Sequence, residues 1–86
     1  MDITDLNFYK YHEDETNHSH FWESSYYIGE KDLEKIRQEL QRTFHTAKIN
    51  IFSPYSNPEI DHGVCVLEVK LYSDEDNALF CLFIGK

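Results

Sequence analysis

The chain has 86 residues, enough for one domain and too few for a second hydrophobic core. Hydrophobic residues make up 41% of it and aromatics 15%, enough apolar mass to fold despite a formal charge of −8. That charge argues against nucleic acid and anionic membrane as partners, since both demand clustered Lys and Arg, and no window nears the ~18 consecutive apolar residues of a membrane span.

Asp5 to His12 and His18 to Ile28 read as two strands around the polar turn at residues 13–17. From Lys31 to Phe44, Leu33, Ile36, Leu40 and Phe44 recur at spacings of three and four, which predicts one amphipathic helix. Gly29 is its expected N-cap, and Lys31, Glu34, Lys35, Gln38 and Gln41 form its solvated face. Thr46 to Ser53 alternates as a strand with Ala47, Ile49 and Ile51 on one side; Pro54 stops it and Tyr55 to His62 form a loop. Gly63 to Tyr72 sets Cys65, Leu67, Val69 and Leu71 against Val64, Val66, Glu68 and Lys70. Asn77 to Ile84 reads as a returning strand, joined through the hairpin run Ser73 to Asn77, with Leu79, Cys81 and Phe83 on one face. The order β-β-α-β-β-β predicts an α+β domain: an antiparallel sheet of about five strands with one amphipathic helix packed on one face.

In that register Cys81 faces Val69, and Cys65 lies four strand residues further along, roughly 13 Å away. A disulfide tolerates at most ~7 Å between Cα atoms, so both thiols are expected reduced in an apolar core. With no basic, apolar leader sequence at its start, the chain is expected to be cytoplasmic.

Chemical motifs are sparse. His12, Glu13, His18 and His20 are metal-ligating types, and His18 and His20 share a strand face, but no closed ligand set completes them and no metal or cofactor is expected. The serines and cysteines lack a nucleophile turn, and carboxylates in exposed turns stay too acidic for general acid work. No catalytic residue is expected and the chain reads as a non-enzyme.

Charge and aromatics point to binding. Residues 1–30 hold seven acids against Lys10 alone. Glu13, Asp14 and Glu15, and again Asp74, Glu75 and Asp76, form acidic runs at two expected turns, where their field would steer a basic partner. Trp22 and Tyr26, beside Glu23 and the neighbouring Tyr9 and Tyr11, have the amphipathic rings favoured as interface anchors. One helix also leaves a second sheet face bearing Val64, Val66, Phe80, Leu82 and Ile84, to be covered either by the N-terminal hairpin or by a partner or second copy. The sequence thus predicts an acidic inhibitor of a basic protein, such as an immunity protein against a nuclease toxin or a phage-encoded blocker of a nucleic-acid-handling enzyme. A homodimer through the apolar sheet face and a small metal-dependent or hydrolytic enzyme are the alternatives.

Overall fold

The computed structural model describes residues 2–53 and 64–85. A single 3-10 turn, Ile3–Asp5, leads into β1 (Phe8–Asp14), β2 (Ser19–Ser24), β3 (Tyr27–Ile28), α1 (Glu30–Thr43), β4 (Lys48–Phe52), β5 (Val64–Leu71) and α2 (Asp74–Ile84). The predicted loop from Tyr55 to His62, with Pro54 and Gly63, lies outside the described residues.

The domain is α+β and its sheet is antiparallel. β5 runs through the middle, with β4 on one side and β2 on the other, and β1 closes the far edge as the hairpin partner of β2. β3 continues along the flank of β5 already used by β2, pairing Tyr27 with Cys65, so the sheet has four strand positions across its width.

Between β2 and β3 the ladder breaks at Ser25 and Tyr26. There the buried Ser24 hydroxyl replaces a backbone acceptor, receiving the Leu67 N–H at 2.9 Å while donating to the Ser25 carbonyl at 3.0 Å. Ser24→Ala removes that acceptor and strands a buried N–H, so it is expected to cost about 1–3 kcal/mol in a urea titration. A loss near zero would mean that Leu67 has another partner.

The main correction concerns the end of the chain. Asn77 to Ile84 is helix, not a returning strand, and the two helices pack against the same sheet face. Ser73 caps α2, its Oγ accepting the Asp76 N–H at 3.1 Å, and Gly85 ends the helix in the left-handed region at φ 78°. Phe80 and Ile84, one turn apart, face inward with Leu33, Ile36 and Leu40 of α1, with its C-cap Phe44, and with Cys65, Leu67, Val69 and Leu71 of β5. The uncovered face predicted for the sheet therefore loses Phe80 and Ile84 to the core; Val66 is fully buried, and only Leu82 of α2 stays mostly exposed, at 76%.

The Cys81–Val69 register falls with the lost strand. Cys65 is buried in β5 and Cys81 is half-buried on α2, neither of them in a disulfide. α1 matches its sequence pattern in extent and inward face, with Gly29 as N-cap. Gly29 has φ 140°, a value L side chains rarely adopt, and a Cβ there would sit 2.9 Å from Tyr27 Cε1. Gln41 departs from its reading as a solvated residue: its Nε2 donates to the carbonyls of Phe44 and Ala47, each at 3.0 Å, tying off the end of the helix.

Candidate functional site: an acidic pole built on two termini

The two acidic runs, offset by 61 residues in sequence, meet at one end of the fold. The first occupies the end of β1 and its turn into β2. Asp14 shapes that turn: Oδ1 accepts the N–H groups of Thr16 at 3.0 Å and Asn17 at 3.3 Å, and Oδ2 accepts from Asn17 Nδ2 at 2.8 Å. His18 then takes φ 55°, which turns the chain into β2. The second run, Asp74, Glu75 and Asp76, is the first turn of α2, where carboxylates suit the positive end of the helix dipole.

Two histidines join the runs. His18 Nδ1 and His20 Nε2 each lie 2.8 Å from a different oxygen of Asp74, so this carboxylate holds both rings. His20 is only 5% exposed, and its other nitrogen faces Lys10 Nζ at 3.3 Å and Glu13 Oε1 at 3.5 Å. Because the lysine can only donate, the arrangement that satisfies every group has His20 accepting at Nδ1 and donating through Nε2 to Asp74. Lys10 also reaches Glu13 Oε1 at 3.6 Å and lies 5.2 Å above the Trp22 ring. Beneath them Trp22 Nε1 donates to Asn77 Oδ1 at 2.9 Å, a third side-chain link from the β1–β2 hairpin to α2.

These contacts sort the sequence-derived residues. Glu13, Glu15, Asp74 and Glu75 are exposed, Asp14 and Asp76 half-exposed, and all six belong to this pole. Trp22 is a correction: at 6% exposure it packs on Phe80 in the core and offers a partner no ring surface. Glu23 and Tyr26 lie elsewhere: Glu23 pairs with Tyr9 across β1 and β2, and Tyr26 is exposed between β2 and β3. His12 stacks near Phe21, with ring centroids 4.9 Å apart, remote in role from His18 and His20. Among the described residues, no group of three or more His, Cys, Asp or Glu side chains is placed to hold a metal ion. The convergence itself had no sequence signal, since His18 and His20 sit 56 and 54 residues from Asp74.

Hydrogen bonding favours the charged form of two carboxylates in the pole. Donation from His20, then from His18, holds the Asp74 carboxyl below the usual carboxylate range, and the Asn17 N–H does the same for Asp14. A lowered folded-state value means that the stabilisation is complete above the unfolded value, near pH ~4, and is lost as pH falls through the folded one. The melting temperature is therefore expected to drop on acidification below about pH 4, and Asp74→Asn should flatten part of that drop. Parallel curves for the two proteins would show that Asp74 is not coupled to folding.

Basic residues gather in the second half of α1. Arg37, Gln38, Gln41, Arg42 and His45 line a shallow depression of about 460 Å³, with Arg37 paired to Glu34. Among the described residues, no helix is long and apolar enough to cross a membrane. No protein-family model, curated protein or solved structure matches this chain.

Proposed function

We propose that the protein is a small acidic binding module that neutralises a basic protein, with the pole formed by residues 13–15 and 74–76 as its contact surface. A nuclease toxin, or a host enzyme that handles nucleic acid, is the class of target whose phosphate-binding cleft such carboxylates would occupy. The observation that carries this reading is the His18–Asp74–His20 bridge, which ties the acidic first turn of α2 to the acidic β1–β2 turn. A preorganised, one-signed surface raises the rate of encounter with an oppositely charged partner. Solubility alone asks only for dispersed charge.

The direct test is capture on the immobilised chain from a lysate of the source cells. The reading requires a stoichiometric basic protein that is released by raising salt; retention of only a second copy of this chain, or of an acidic protein, contradicts it.

A further inference from the structure

His20 is buried, and among the described residues charged side chains from β1 and α2 face its ring. From β1 come Glu13, its register partner, and Lys10; from α2 comes Asp74, whose carboxylate His18 of the hairpin shares. β5 places the uncharged Leu71 opposite it. Nε2 is committed to Asp74 Oδ1 at 2.8 Å. Around Nδ1 the contacts form a triangle: Lys10 Nζ lies at 3.3 Å and Glu13 Oε1 at 3.5 Å, with 3.6 Å between the ammonium and the carboxylate.

That triangle has two arrangements. With the ring neutral, the Nδ1 lone pair accepts from the Lys10 ammonium, and Glu13 balances the ammonium from the third corner. With a proton from solvent on Nδ1, the ring is a cation that donates at both nitrogens, so the lysine loses its acceptor and meets a like charge. Glu13 lies close enough that a shift of under about 1 Å brings it to the length of a charge-assisted bond with Nδ1–H. Lys10 has a way out: it sits on the edge strand β1 with its side chain already 25% exposed, and its flexible stem lets the ammonium reach water.

We propose that a proton and the Lys10 ammonium compete for His20 Nδ1, and that this exchange makes the acidic pole sensitive to pH. In mildly acidic solution the proton takes the nitrogen, Glu13 turns inward to it, and Lys10 swings out among the carboxylates. The pole then carries one more positive charge, with one carboxylate drawn into an internal pair and an ammonium delivered to its surface. Histidine suits this task because its charge changes while neighbouring carboxylates stay ionised. His18, whose side chain is 60% exposed beside Asp74, adds a second positive charge when it takes a proton. The frame survives the change, since Nε2 donates to Asp74 in both states. The exchange follows from the geometry alone, whereas its consequence, weaker capture of a basic partner in acid, rests on the reading of the pole as the contact surface.

The test follows the full-length, isotope-labelled chain by NMR from about pH 8 to about pH 5, the range in which histidines titrate, with hexalysine as the probe of the pole. The His20 ring is expected to be protonated on Nε2 alone at the upper end and on both nitrogens at the lower, with the Lys10 Cε signal moving at the same midpoint. Lys10→Met, which keeps the stem and removes the competing charge, should move that midpoint upward; Glu13→Gln should move it downward. Hexalysine should bind severalfold more weakly at the lower end. A His20 ring that carries its proton on Nδ1 at the upper end, stays neutral throughout, or titrates without any response from Lys10 or from either substitution would overturn the exchange. Equal hexalysine affinity at both ends, with the ring titrating as described, would overturn its control of the pole. Hexalysine that binds at neither end would count against the pole as a contact surface, while the ring and Lys10 signals still decide the exchange.

Discussion

Phe80→Ala is expected to destabilise the domain by about 3–5 kcal/mol, a large part of what so short a chain possesses. Phe80 is fully buried where both helices and the sheet meet: its ring lies 5.3 Å from Phe8, 5.5 Å from Trp22 and 6.2 Å from Phe44, in edge-on or tilted arrangements. Removing it leaves a cavity bounded by three large rings that cannot collapse into it without moving backbone. Leu82→Ala should change stability by less than about 0.5 kcal/mol, because Leu82 is mostly exposed. The contrast separates helix from strand. On a strand, Phe80 and Leu82 share a face and respond together; on α2 they point 200° apart, by 100° per residue. Comparable losses from both substitutions in a denaturant titration would contradict the helix.

Neutralising Glu15, Glu75 and Asp76 together, as Gln, Gln and Asn, should slow association with a basic partner by roughly tenfold or more at low salt and leave stability nearly unchanged. The carboxylates of these three acids make no hydrogen bond or ion pair with other described residues, whereas Asp14 builds the turn and Asp74 and Glu13 engage the histidines. Their loss changes the field without loosening the frame. Dissociation should change less, because exposed rim charges act mainly on encounter. A triple variant that binds as fast as the parent protein would leave the acidity with no role in recognition.

The legibility of the fold followed the contrast between apolar and polar positions. α1 could be read because Lys31, Glu34, Lys35 and Gln38 leave a single apolar stripe, and β5 because its inward Cys65, Leu67, Val69 and Leu71 alternate with Glu68 and Lys70. α2 could not, since Ala78 to Ile84 is apolar at every position and fits a period of two as well as one of 3.6. Two end signals were present and outweighed: Ser73 followed by Asp76 before an apolar run is a helix start, and Gly85 just after it is a helix stop.

Of the site, the exposure of both acidic runs was legible from composition. Their meeting was not, because it depends on α2 being a helix that starts beside the β1–β2 turn and on His–Asp contacts that no local spacing encodes. Trp22 was misplaced for a related reason: with Asn77 read as a strand residue, the indole N–H had no visible partner in the interior.

The association rate of the captured basic partner, measured by surface plasmon resonance from low to high ionic strength, tests the central claim most directly. Charges steering from the pole act over a screening length of ~30 Å at 0.01 M salt and ~8 Å at 0.15 M, so the rate should fall steeply across that range for the parent protein and only weakly for the Glu15, Glu75, Asp76 triple variant. A rate that is independent of salt in both proteins would contradict the account.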